Sequence, residues 1–287
     1  MGFRLANVGG RAALVVGDDY YDVESVSGGS IGGDPMHALR HAADLMTVAS
    51  TLDEQEPTGL LDDVTLGPPV PAPQKCFGIG LNYLDHATEA SVDVPKNPLV
   101  FTKFPSCLVG PTADVELRSG LCDYEGELVV VIGEGGRDIA PEMAWAHVAG
   151  VAVGQDISDR EMQFAASPPH FDLGKTYDTY GPIGPVMVSA DEIADVGALR
   201  ITTTVNGEAR QNDTVANMVF DVPTLIAYLS QVTTLVTGDL IFTGTPAGVG
   251  APQGKFLADG DIIVTTIDGI GSITNRCVMV EPKGRPA

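Results

Sequence analysis

Cysteine is scarce, with only Cys76, Cys107, Cys122 and Cys277 and no CxxC pair among them. Such spacing offers neither a zinc knuckle nor a disulfide framework, so a reducing, cytoplasmic setting is expected. Long apolar runs are missing as well: none approaches the roughly 18 residues a membrane span requires. The opening MGFRLANVGGRAALVVGDD is broken by glycines and charges and has no signal-peptide core, so no leader is expected. Bases are in deficit, 16 against 38 acids, for a net charge of −22. That balance argues against nucleic acid or an anionic membrane as partner. A small anionic ligand stays compatible, provided its pocket carries its own positive charge. There is no internal repeat, no low-complexity tract and no regular βαβ alternation, which disfavours a doubly wound sheet.

What is present reads as two parts. Residues 1–70 suggest a small N-terminal α+β unit: a hairpin in RAALVVGDDYYDVES and an amphipathic helix in DPMHALRHAADLMTVAS, with Pro35 near its start. The proline-rich LGPPVPAPQK then suits an extended linker. Residues 71–287 read as mixed, mainly β, with a few helices. Strands are expected at 128–132, 148–153, 201–205, 240–243 and 262–267, and a tight hairpin turn at Asn206-Gly207. Helices are expected at 141–149 and 223–231, opened by Pro141 and Pro223.

The segment CDYEGELVVVIG carries Glu125 and Glu127 two apart, so in a strand both face the same side. Like charges side by side repel. Taken alone, the pair is also what a solvated edge strand presents. The apolar run that follows is ill suited to an exposed edge, however, and a third acid, Asp156, follows the apolar stretch VAGVAVGQ. Three carboxylates around one hard divalent cation remove the repulsion, and all-oxygen ligation suits Mg²⁺ or Mn²⁺. His86 and Glu89 lie three apart, the spacing at which a carboxylate on a helical turn can orient an imidazole as a general base. Arg160 and Gln163 follow Asp156 closely, and Lys175 sits among glycine, aromatic and proline residues. His37 and His41 stand at i,i+4 without an evident third ligand and read as a helix surface; GGSIGG and GEGG read as turns, and Trp145 as core.

Six ordered stretches, GIGLNYLDHATEA, CDYEGELVVVIG, GQDISDREMQ, GKTYDTYGPIGP, LIFTGTPAGVG and LADGDIIVTTIDGIGSITN, resemble the fumarylacetoacetate hydrolase superfamily from about residue 74 to about 280. The look is nearest to its acylpyruvate hydrolase and 2-hydroxyhepta-2,4-diene-1,7-dioate isomerase branch. The resemblance implies a β-roll catalytic domain, a homodimer, and metal ligation by Glu125, Glu127 and Asp156. It implies catalytic roles for His86 with Glu89 on a lid segment and for Lys175 on the substrate carbonyl or enolate. It implies substrate contacts from Tyr83, Lys103, Arg160, Gln163 and Thr245. The activity expected is metal-dependent cleavage of a C–C bond in an acylpyruvate-type 2,4-diketo acid, yielding pyruvate and a carboxylic acid. The alternatives are oxaloacetate decarboxylation, or isomerisation or dehydration of a related dienoate or deoxy sugar acid. GQD replaces the family's usual Asn-Asp approach to the third ligand, and SPPHF inserts a loop before Lys175.

Overall fold

The computed structural model describes residues 2–89 and 93–281. Residues 90–92 of the expected lid segment lie outside that range.

Leu128–Ile132 is apolar at every position because it runs through the middle of a sheet, not along its edge. The strand Gly126–Ile132 is buried throughout. It pairs antiparallel with Val148–Gln155 on one side and with Leu240–Phe242 on the other. Strand periodicity sorts its side chains into two layers. Val129 and Val131 join a core with Leu240, Phe242 and Tyr180, while Leu128, Val130 and Ile132 join another with Ile226 and Leu229. The sheet continues beyond Val148–Gln155 through Gly181–Ser189 to Arg4–Val8, Arg11–Val16 and Asp19–Asp22. Beyond Leu240–Phe242 it continues through Cys76–Gly80 to Leu99–Thr102. The leading strands thus pair directly with a strand from beyond residue 70, Arg4 and Leu5 standing in register with Val188 and Met187.

A second sheet runs Glu208–Thr214, Arg200–Val205, Ile262–Ile267, Gly271–Met279, Val115–Leu117. Its hairpin turns at Asn206 (φ 53°) and Gly207 (φ 78°), the left-handed pair a two-residue turn of this kind demands. The two sheets meet where the glutamates are. A Cβ added at Gly126 would stand 2.3 Å from Thr203 Oγ1, so only glycine permits the approach.

Two helix expectations need correcting. Residues 141–149 hold a short 3₁₀ stretch, Pro141–His147, and Val148 and Ala149 belong to the next strand, where full burial outweighs helical continuation. The amphipathic segment after Pro35 is two helices, Pro35–Leu39 and Ala42–Ala49, parted at Arg40 and His41. The other expected helix forms as Val222–Val232, capped by Asp221, whose Oδ1 accepts the Thr224 N–H at 2.9 Å. Among the described residues no helix is long and apolar enough to cross a membrane. The four cysteines are buried and free.

Candidate active site

Strand register brings the acids together. Glu127 stands opposite Gly154 and Gly126 opposite Gln155. One step further on, the Asp156 N–H donates to the Glu125 carbonyl at 2.8 Å. Residues 31 apart in the chain are therefore cross-strand neighbours, and at Gly154, opposite Glu127, a Cβ would stand 2.5 Å from the Val129 side chain and 2.8 Å from the Phe242 ring. One carboxylate oxygen each from Glu125, Glu127 and Asp156 lies within 4.8 Å of the others, and all three residues are buried.

Their partners are unequal. Glu125 accepts from Arg160 Nη2 at 2.7 Å and from Lys175 Nζ at 2.8 Å. Burial opposes its ionisation, but Lys175, Arg160 and His86 outweigh burial and hold the carboxyl well below the usual range. Asp156 accepts from Lys103 Nζ at 2.6 Å and from Lys175 Nζ at 2.7 Å. Glu127 is 1% exposed and accepts from the Gly244 N–H at 2.8 Å. Burial, then Asp156 and Glu125, push its carboxyl well above the ordinary value. A buried carboxylate facing two others, with a single backbone donor among the described residues, is short of one positive charge. An all-oxygen set of this kind fits Mg²⁺ or Mn²⁺.

Lys175 is fixed by three acceptors, Glu125, Asp156 and Ser158 Oγ (2.8 Å), and lies 4.9 Å from the Phe101 ring centre. Arg160 reaches Asp123 through Nε (3.0 Å) and Nη2 (2.7 Å), and Gln163 Oε1 through Nη1 (2.9 Å). Thr245 Oγ1 donates to the Gly126 carbonyl at 2.9 Å and accepts from Gln211 Nε2 at 2.7 Å.

A cleft of about 440 Å³ opens over these groups. It is lined by His86, Glu125, Arg160, Gln163, Lys175 and Thr245 and by the apolar Ile79, Leu99, Phe101, Phe164 and Phe171. The last two flank or belong to the loop inserted before Lys175. His86 comes from the helix Leu84–Glu89. Its burial holds the imidazole below its usual value, and Nδ1 has no hydrogen-bond partner among the described residues. Glu89 Oε2 is 3.8 Å from that nitrogen and accepts instead from the Gly248 N–H at 2.9 Å.

Two residues expected at the substrate are placed elsewhere. Lys103 does not line the cleft: its side chain has no exposed surface, and its ammonium is spent on Asp156 and on the carbonyls of Lys175 and Tyr180. It holds the third carboxylate and the Lys175 backbone in place. Tyr83 is fully buried, its hydroxyl has no partner among the described residues, and it does not line the cleft. Trp145, expected in the core, is half-buried and packs against the core layer that holds Leu128.

Several supports were not singled out from the sequence. Asp123 sits in the quoted CDYEGE stretch, where two residues of offset from Glu125 signalled it. Gln155 accepts the Glu125 N–H at 3.0 Å, and Gln211 accepts that of Gly126 at 3.0 Å from the second sheet. Asn82 clasps Phe220 through its N–H (2.8 Å) and carbonyl (3.0 Å), tying the start of the His86 segment to the loop before the long helix.

Known proteins resemble this chain in sequence and fold. The mitochondrial oxaloacetate tautomerase FAHD2A of Homo sapiens is 42% identical over 240 residues, 82% of this chain and 76% of that protein. An HpcE-like protein from Mycobacterium smegmatis is 43% identical and superposes with a TM-score of 0.89 over 97% of this chain and all of that one. Maleylpyruvate hydrolase from Sphingobium sp. SYK-6, solved with manganese(II) and pyruvate, is 31% identical with a TM-score of 0.82, over 97% of this chain and 100% of its own. Residues 75–278 match the family described as fumarylacetoacetate (FAA) hydrolase C-terminal, and the chain belongs to that family.

Proposed function

We propose that the chain interconverts the enol and keto forms of oxaloacetate or a closely related 2-oxo acid. The observation that carries this reading is the placing of His86: its imidazole is on the cleft wall beside Glu125, and its Nδ1 stands 3.8 Å from Glu89, beyond hydrogen-bond reach. Hydrolysis asks for a base that activates water, with its partner holding it to that task. Tautomerisation consumes no water and needs only a base able to carry a proton. The similarity to proteins named oxaloacetate tautomerase supports the same substrate class.

A divalent cation held by Glu125, Glu127 and Asp156 would supply Lewis-acid polarisation of a chelating 2-oxo acid. In the keto-to-enol direction His86 takes a proton from C3 as the C2–C3 double bond forms, the resulting enolate oxygen takes a proton from solvent, and the imidazolium returns its own to solvent, so no net proton is consumed. Lys175 and Arg160 hold positive charge beside the place where negative charge develops on that oxygen. Gln163 fixes the Arg160 guanidinium, and the Phe101 and Phe171 side of the cleft keeps water from the reacting carbon. Hydrolysis of an acylpyruvate, the activity expected from the sequence, is the second reading. The apolar wall of the cleft favours it, since that wall suits an apolar acyl group better than a second carboxylate.

The test follows the decay of enol-oxaloacetate ultraviolet absorbance with Mn²⁺ present, while pyruvate is measured in the same sample. Accelerated decay without pyruvate supports tautomerisation; decay matched by pyruvate moves the assignment to decarboxylation, and acetylpyruvate cleavage moves it to hydrolysis. The pH profile carries a sign. His86 is held below the ordinary histidine value of 6.5, so the rate should persist as pH falls past that value and drop only when His86 protonates. His86→Ala should lower the rate about 10²- to 10⁴-fold with Mn²⁺ binding retained.

A further inference from the structure

We propose that Asp123 is the positioning residue for 2-oxo acid binding, acting through Arg160. The inference rests on reading the cleft as a 2-oxo acid site. Asp123 is fully buried and lies two residues before the first of the clustered glutamates. Its Oδ1 accepts the N–H of Gly250 at 2.7 Å and of Tyr124 at 2.9 Å. Its Oδ2 accepts the N–H of Ala251 at 3.0 Å together with both contacts from Arg160. Every group hydrogen-bonded to this carboxylate among the described residues is a donor.

Two consequences follow. First, one carboxylate joins two walls of the cleft: Arg160 on one side, and the 244–251 loop on the other, which supplies Thr245, Val249 and Ala251. The join is close-fitting, since a Cβ at Gly250 would stand 2.7 Å from Asp123 Oδ1 and 2.0 Å from the Lys255 carbonyl. Second, Arg160 Nη2 is shared between Asp123 and Glu125. With Asp123 behind it, the guanidinium stays charged and divided between two carboxylates instead of pairing wholly with Glu125. Its charge is thereby held at the cleft surface, where a substrate carboxylate can meet it, and Glu125 remains free to face the other two acids. An amide at position 123 cannot replace this, because whichever way it turns, its NH₂ meets a donor.

The test is titration of pyruvate into the Mn²⁺-loaded protein, read as heat and not as turnover. Asp123→Asn should weaken pyruvate binding about 10- to 100-fold, the usual consequence of disturbing a buried charge-assisted network, while Mn²⁺ affinity holds within about twofold. Arg160→Ala should weaken pyruvate similarly, and the double variant should be no weaker than Arg160→Ala alone. If Asp123→Asn does not fold, Asp123→Ser removes the same charge with a smaller side chain and carries the same titrations. Unchanged pyruvate affinity in the folded variant overturns the proposal. So does a loss in the double variant equal to the sum of the single losses, since Asp123 would then act independently of Arg160. Expected pyruvate binding in a chain that leaves enol-oxaloacetate untouched upholds the role of Asp123 and removes the tautomerase reading alone.

Discussion

At the scale of single residues, the informative member of the carboxylate cluster is Glu127. Glu125 and Asp156 each have lysine or arginine within hydrogen-bond reach, whereas Glu127 has the Gly244 N–H. Its raised pKa has a direct thermodynamic sign. A carboxyl held higher in the folded chain than in the unfolded one favours folding below the ordinary glutamate value of 4.5 and loses that contribution as pH rises through the folded pKa. Metal-free protein should therefore lose stability as pH climbs above 4.5, and Glu127→Gln should be spared. At the alkaline end the variant should be the more stable by about 1–3 kcal/mol, the cost of a buried polar group short of partners. Mn²⁺ should raise the Tm of the parent and leave that of Glu127→Gln nearly unmoved. Thermal unfolding across pH, with and without Mn²⁺, checks both statements; equal pH dependence in the two proteins would remove Glu127 from the proposed cation site.

At the scale of elements, position follows from strand register. The strands over 128–132, 148–153, 201–205 and 262–267 were legible because their burial leaves a continuous apolar run or a clean alternation. The convergence of Glu125, Glu127 and Asp156 was legible in part, since acids at the ends of two apolar strands meet whenever those strands pair. The donor to Glu127 was not, because Gly244 is 117 residues away and nothing local connects them. Gln211 was hidden for the same reason, lying on the other sheet. The resemblance gave Lys103 a place but could not give its orientation, which depends on where the Lys175 and Tyr180 carbonyls fall. Gly244 illustrates how backbone shape serves the site: φ is +97°, and a Cβ would stand 2.7 Å from Asn82 Cβ and 2.9 Å from the Ile79 carbonyl. Gly244→Ala should thus cost about 1–3 kcal/mol for the backbone conformation alone. Because the shift also moves the N–H that faces Glu127, the Mn²⁺-induced rise in Tm should shrink with it. A lower Tm with the full Mn²⁺ response would mean that this N–H does not shape the cluster.

At the scale of the whole molecule, the charges work against the proposed substrate. A net charge of −22 repels an oxaloacetate dianion during approach, and the cations in the cleft are already shared among Glu125, Asp123 and Asp156. Such a field acts over the Debye length, about 10 Å at 0.1 M salt and about 30 Å at 0.01 M. Added salt should therefore ease the encounter: KM for oxaloacetate should fall between low and moderate NaCl, with kcat little changed. Divalent cations respond in the opposite direction, since the same field gathers them and salt disperses them, so the measurement belongs at saturating Mn²⁺. Competing chloride would raise KM, and sodium methanesulfonate, which carries no carboxylate, run in parallel separates screening from such competition. A KM that rises equally in both salts would mean that the local charge of Arg160 and Lys175 outweighs the global field at the mouth of the cleft. The capture of substrate would then be governed by the few residues Asp123 holds in place and not by the acidic surface around them.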